Sequence, residues 1–182
     1  DNSVILAPDF SAIELVIIGG YSNDAGFLKA YGQRPHDDIH SQTAAFMLEV
    51  GLEAFKQMPN KKELRTDVGK GANFAWPYSG SLNAVGKKLG WDKEKIWEMN
   101  DRYRTLYAEE EQWRLDTIAE TKSKGFIELP DHLRRYRFEA TPMWAQLMQS
   151  KFEKLGVNEF GKQCIRRIQA RAGNQGVNAA VQ

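Results

Sequence analysis

Asp9-Phe10-Ser11-Ala12-Ile13-Glu14-Leu15 is the stretch around which the chain is organised. Ahead of it, the apolar and β-branched run at residues 3–7 reads as a strand. Behind it, apolar spacing reads as a helix over residues 13–21, weakened at its end by Gly19-Gly20. Asp9 therefore stands where a strand hands over to a helix. A carboxylate there can share a hard divalent cation with backbone oxygens. Equally, Asp9 or Ser11 can simply cap the helix, and spacing alone favours the cap.

Composition bounds the rest. The 182 residues suffice for one ordinary domain with a real core or for a large piece of a bigger enzyme. A hydrophobic content of 42% with 27% charged residues describes a soluble globular protein. No apolar run approaches bilayer length and the first residues lack a signal-peptide pattern, so no membrane partner and a cytoplasmic location are expected. The single cysteine, Cys164, excludes an internal disulfide and a cysteine zinc site, and reads as a small packed hydrophobe. A formal net charge of +1 does not announce a nucleic-acid binder, although arginines cluster at 134, 135 and 137 and again at 166, 167 and 171.

Along the chain, residues 23–32 read as a short polar segment. One helix is expected from Asp38 to about Gln57, capped by Asp37 or Asp38 and stopped by Pro59. Residues 81–89 read as a short helix stopped by Gly90. Residues 91–122 read as the longest helix of the chain, with Asp92 near its cap. Residues 125–129 and 135–138 suggest a hairpin turned at Pro130-Asp131, and helices from about residue 141 to 155 and from 159 onward complete a mainly α chain.

Two stretches carry possible chemistry. His36-Asp37-Asp38-Ile39-His40 is either a capped helix start or the ligand set of a metal-dependent phosphohydrolase. Lys70, Phe74 and Tyr78 fall at i, i+4 and i+8, one drifting helical stripe, while Gly69, Gly71 and Pro77 argue against a stable helix. Pro77 should remove the hydrogen bond to the Asn73 carbonyl. Poor helix formers around a polar and aromatic stripe point to a site, although alone such a stripe also suits a core and its rim.

Taken in order, these stretches resemble the motifs of family A DNA polymerases, the bacterial DNA polymerase I family. Asp9 to Leu15 resembles motif A, D-Y-S-Q-I-E-L, with Phe10 for the tyrosine and Ala12 for the glutamine. Asp38-Ile39-His40-Ser41-Gln42-Thr43-Ala44 resembles D-I-H-T-x-T-A. Lys70-Gly71-Ala72-Asn73-Phe74, continuing to Tyr78-Ser79-Gly80, resembles the motif B pattern K-x-x-N-F-x-x-x-Y-G of the fingers helix, with the tyrosine and glycine spread apart. The family's arginine four residues before that lysine is Thr66 here, and Arg65 stands one residue earlier. Because one residue turns an α-helix by about 100°, either the helix is rewound near Gly69 or Arg65 does not do that job. The 125–137 hairpin resembles G-Y-V-x-T-x-x-G-R-R-R. Asn178 to Gln182 resembles N-x-P-[IV]-Q, with Asn174 where an arginine is expected and Arg171 as the candidate substitute.

The resemblance implies a fold, a reaction and roles. The fold class is mainly α (α+β), a helical fingers subdomain over residues 59–182 joined to a partial, antiparallel palm over residues 1–58. The reaction is template-directed DNA synthesis from dNTP on a primer-template, with two Mg²⁺ ions held by Asp9 and the carbonyl of Phe10. Asp9, Lys70 and Tyr78 would be catalytic. Glu14, His40, Arg65, Lys70, Phe74 and Tyr78 would bind nucleotide, Glu14 excluding ribonucleotides and Phe74 discriminating against dideoxynucleotides. Arg134, Arg135, Arg171, Asn178 and Gln182 would contact DNA. The family's H-D-E motif C is absent, so the remainder of a polymerase is an expected partner and the segment alone is expected to be inactive. A noncatalytic DNA- or nucleotide-binding module stays open, as do a bacterial and a viral source.

Overall fold

The structure, a computed structural model, describes residues 12–32, 35–129 and 133–181. The expected strand at residues 3–7 lies outside them, as do Asp9, Phe10 and Gln182. Among the described residues the chain is mainly α, as expected, with one two-stranded antiparallel sheet. The helices are α1 (Ile13–Ser22), α2 (Ala25–Tyr31), α3 (Ile39–Met47), α4 (Leu52–Gln57), α5 (Lys61–Leu64), α6 (Gly71–Ser79), α7 (Asn83–Leu89), α8 (Lys93–Leu106), α9 (Ala108–Lys124), α10 (Pro142–Lys154) and α11 (Asn158–Val181). A π-helical segment, Arg65–Lys70, joins α5 to α6, and a 3₁₀ turn, Phe138–Ala140, precedes α10. The strands β1 (Phe126–Glu128) and β2 (Arg134–Tyr136) pair Phe126 with Tyr136 and Glu128 with Arg134.

Three sequence expectations need correction. Residues 23–32 contain a helix, because extended Asp24 accepts hydrogen bonds from the amides of Gly26 (2.9 Å) and Phe27 (3.3 Å), an N-cap that starts α2. The helix expected from Asp38 to Gln57 is two. After α3 the amide of Val50 donates to the carbonyl of Ala45 and that of Glu49 to Phe46, closing a Schellman turn with Glu49 in the left-handed region at φ 56°. A non-glycine there is held from outside: Arg102 donates to the Met47 carbonyl at 2.8 Å and ion-pairs with Glu49 at 2.6 Å.

The helix expected over residues 91–122 is also two, broken at Tyr107 (φ −128°, ψ 63°), and the longest helix is α11 with 24 residues. Tyr107 leaves helical geometry because its ring is claimed by the core. It packs on Phe27 (centroids 4.7 Å) and Tyr103 (5.1 Å), and its hydroxyl meets Thr43 at 2.7 Å. The row continues from Tyr103 to Trp76 at 5.1 Å. Leu15, Ile18, Phe27, Met47, Trp76, Met99 and Tyr103 share one core. Cys164 is a free, half-buried thiol on α11.

Among the described residues the carboxyl groups of Asp24 and Glu110 are fully buried. Glu110 is fully buried and its acidity is suppressed: burial first, then the neighbouring Glu111 and Asp24, push its pKa up to about 8 against the opposing pull of Arg114. Burial likewise raises Asp24.

Candidate functional site

Local rules explain why residues 61–80 looked wrong for a helix. The amide of Gly71 reaches back to the carbonyl of Thr66, the five-residue step of a π-helix. Gly69 lies on the face that meets α3, where its missing side chain leaves room for the carbonyl of His40 and the methyl of Ala44. Pro77 sits inside α6, and Gly80, at φ 63°, ends it. The C-terminal half of α6 is tied to α9. Trp76 donates its indole N–H to Glu111 at 2.9 Å, and Arg114 grips the same carboxylate through two nitrogens at 2.8 and 3.0 Å. The guanidinium of Arg114 fills the space beside Gly80, and that of Arg104 lies 5.3 Å from the Trp76 ring.

These elements wall a cleft of about 270 Å³, lined by Ala12, Tyr31, His40, Arg65, Lys70 and Phe74. Arg65 and Lys70 are five apart and share it. In an α-helix that spacing would separate them by about 140°; in the wider π segment, whose hydrogen bonds step five residues, they fall closer to one face. The displaced arginine is thus returned to the lysine's face by a local rewinding at Gly69, one of the two alternatives open in the sequence. Lys70 is exposed and its ammonium stands 5.8 Å from the Phe74 ring. The His40 and Phe74 rings are 6.0 Å apart. Three basic or hydrogen-bonding side chains beside one aromatic face suit a ligand with both an anionic and a flat apolar part.

His40 is buried, and burial first, then the charges of Arg65 and Lys70, lower its pKa to about 4 against the opposing effect of Asp38, leaving the ring neutral at physiological pH. Its Nδ1 lies 3.1 Å from the side-chain nitrogen of Asn73. Asp38 caps α3 through Ser41 and also accepts from the Arg65 Nε at 2.8 and 3.0 Å. Burial would raise the Asp38 pKa, but Arg65 and Ser41 together bring it below the usual carboxylate value. Across the α6 stripe, Tyr78 donates to Glu14 at 3.0 Å. Burial first, then Glu14, raises the Tyr78 pKa, so the hydroxyl keeps its proton.

The sequence-nominated residues divide accordingly. His40, Arg65, Lys70 and Phe74 come together in the cleft, and Glu14 pairs with Tyr78. Arg134 and Arg135 are exposed on β2, Arg134 ion-paired to Glu128 and set 4.6 Å over Phe126; Arg171 is exposed and Asn178 half-buried on α11. Among the described residues no group of three or more His, Cys, Asp and Glu could hold a metal ion, the His36 to His40 stretch included. Asp38 is engaged by Arg65, Asp37 by Gln42, and His36 lies edge-on to Tyr31. Tyr31 and Asn73 were missed as site residues. The N-cap at Asp24 would have placed Tyr31 on a helix, whereas nothing local marks Asn73 as a partner of His40.

The family model for DNA polymerase family A matches residues 1–181. The chain belongs to DNA polymerase family A. It is 29% identical over 133 residues to the thermostable DNA polymerase I of Thermus filiformis, covering 73% of this chain and 15% of that protein. It is 27% identical over 138 residues to DNA polymerase I of Bacillus subtilis, covering 76% of this chain and 15% of that protein. DNA polymerase I of Borreliella burgdorferi is 26% identical over 160 residues, or 88% of this chain and 17% of that protein. The chain thus spans under a fifth of these family members' length. Its fold is similar to the POL domain of Pol1 from M. smegmatis in complex with DNA primer-template and dNTP, with a TM-score of 0.68 and 21% identity over 95% of this chain and 25% of that one. No helix among the described residues is long and apolar enough to cross a membrane.

Proposed function

We propose that this chain is the part of a family A DNA polymerase that receives the incoming dNTP, with residues 59–182 acting as fingers and residues 1–58 contributing to the palm. The observation that carries the reading is the convergence of His40, Arg65, Lys70 and Phe74 on one cleft across the π segment. In this reading Arg65, Lys70 and His40 hold the triphosphate oxygens while Phe74 packs against the nucleoside. Fixed positive charge near those oxygens offsets the charge that develops as the α-phosphorus is attacked and pyrophosphate leaves. Glu14, held by Tyr78, crowds the position of a 2′ hydroxyl and so favours deoxynucleotides. Arg134, Arg135, Arg171 and Asn178 are the DNA contacts of the proposal.

Bound Mg²⁺ would lower the pKa of the primer hydroxyl and share the charge of the attacking and leaving oxygens. Its proposed ligands, Asp9 and Phe10, and the DNA contact proposed for Gln182 fall outside the described residues. The remainder of the enzyme would supply the other carboxylate, as the motif C of the family implies.

The test is Lys70→Ala in the enzyme that carries this chain. KM should rise for all four dNTPs by a similar factor, because a phosphate contact carries no base information. A defect confined to one or two bases would overturn the assignment.

A further inference from the structure

A chain of buried hydrogen bonds runs from the break between α8 and α9 to the cleft. The Tyr107 hydroxyl lies 2.7 Å from the Thr43 Oγ1, and Oγ1 lies 2.8 Å from the carbonyl of Ile39 and 3.1 Å from the Asn73 Oδ1. The Asn73 Nδ2 in turn lies 3.1 Å from the His40 Nδ1. Asn73 and Thr43 are both fully buried. Each therefore takes its hydrogen bonds from within this network rather than from water.

We infer that Asn73 is a positioning residue that fixes His40 as the Nε2–H tautomer, so that a neutral histidine offers a hydrogen-bond donor to the cleft. Thr43 owns a single hydroxyl proton, whereas Tyr107 can donate into Oγ1. With Tyr107 donating, Thr43 shares its one proton in a three-centre bond between the carbonyl oxygens of Ile39 (2.8 Å) and Asn73 (3.1 Å). The Asn73 amide then turns its nitrogen, a donor only, toward His40. Nδ1 must accept, and a neutral imidazole that accepts at Nδ1 carries its proton on Nε2. A doubly protonated ring would set two N–H groups against each other, so the same amide also disfavours the imidazolium, in keeping with the lowered pKa of His40. The ring that lines the cleft next to Arg65 and Lys70 is thereby prepared to donate to an anionic oxygen without carrying charge of its own. The opposite orientation of the Asn73 amide would make Nε2 an acceptor, which repels such an oxygen.

The inference rests on the nucleotide-site reading for its purpose but not for its measurement. In ¹⁵N-labelled protein, long-range ¹H–¹⁵N correlation of the His40 ring should show a pyrrole-type Nε2 and a pyridine-type Nδ1 at neutral pH. The reverse pattern, or an equal mixture, would overturn the inference whatever the ligand proves to be. Asn73→Asp places an acceptor opposite Nδ1 and should move the proton there. Thr43→Val, close in shape to threonine, removes the link that orients the amide and should yield a mixed tautomer population even if Asn73→Asp does not fold. Titration with inorganic tripolyphosphate should be weakened roughly tenfold by Asn73→Asp, the cost of losing one hydrogen bond to a charged group. If tripolyphosphate binds no more weakly after Lys70→Ala, the nucleotide-site reading fails while the tautomer result stands. Unchanged His40 ring shifts in both Asn73→Asp and Thr43→Val would sink the positioning role alone.

Discussion

The carbonyl oxygen of His40 occupies the space that a Cβ on Gly69 would need. The two halves of the cleft, one on α3 and one on the π segment, therefore meet backbone to backbone, and the glycine is what lets them do so. Gly69→Ala should push these elements apart, destabilising the fold by about 2–4 kcal/mol and weakening nucleotide binding with it. Gly20 on α1 supplies the contrast: nothing lies within 4 Å of where its Cβ would stand, and Gly20→Ala should stabilise by roughly 0.5–1 kcal/mol through helix propensity alone. Paired thermal melts check both signs. Equal behaviour of the two variants would show that the close approach is not restrictive.

The π segment makes a prediction about register. Deleting Thr66 should relax the segment to an α-helix and leave Arg65 four residues before the lysine, still on its face. Nucleotide affinity should stay within about threefold, since the same charges converge. Exchanging the residues instead, Arg65→Thr with Thr66→Arg, keeps the segment's length but turns the guanidinium off the cleft. That exchange should cost roughly tenfold in affinity, the worth of one charge-assisted hydrogen bond. Isothermal titration with dATP compares them, and the opposite ranking would rule out the alignment of Arg65 with Lys70.

Buried Glu110 sets a pH dependence. Its folded pKa of about 8 lies above the ordinary 4.5, so the folded state holds a proton that the unfolded chain releases. That contribution is complete below about pH 4.5 and is lost as the pH climbs to about 8. Glu110→Gln should remove the slope and make the protein more stable than the parent at pH 8–9, by on the order of 1–3 kcal/mol. Urea midpoints measured from pH 5 to 9 test it. A parent whose midpoint is flat over that range would contradict it.

Tyr78→Phe removes the hydroxyl that Glu14 accepts from. A half-buried carboxylate left without that donor should cost about 1 kcal/mol of stability. In the intact enzyme, a loosened Glu14 should also narrow the kcat/KM ratio between dNTP and rNTP. Stability lost with that ratio intact would confine the pair to a structural role.

How legible this was from sequence depended on whether the cause was local. Asp92, Thr141, Gly90 and the paired strands act through their own neighbours, and the helix ends and hairpin they mark lie close to where spacing placed them. The breaks at Glu49 and Tyr107 do not. Arg102, some fifty residues away, holds the first, and the core holds the second by its ring. Asp24 was a local signal passed over. The cleft was legible as a set of residue types in order, while the turn that aligns Arg65 with Lys70 shows in the sequence only as an awkward run of glycines. The partnership of Asn73 with His40 spans 33 positions and has no sequence mark at all.

The hold of Asp38 on Arg65 means that the cleft carries its own tethered counter-ion. Under the proposed nucleotide reading, an arriving anion would meet Arg65 already paired and would compete with that carboxylate for it. A singly charged ion such as chloride gains little by that exchange, whereas a ligand with several charges can displace Asp38 and still engage Lys70. Between encounters Arg65 therefore rests paired while Lys70 keeps its charge, and if the cleft is the nucleotide site, it should favour visitors that bring more than one charge.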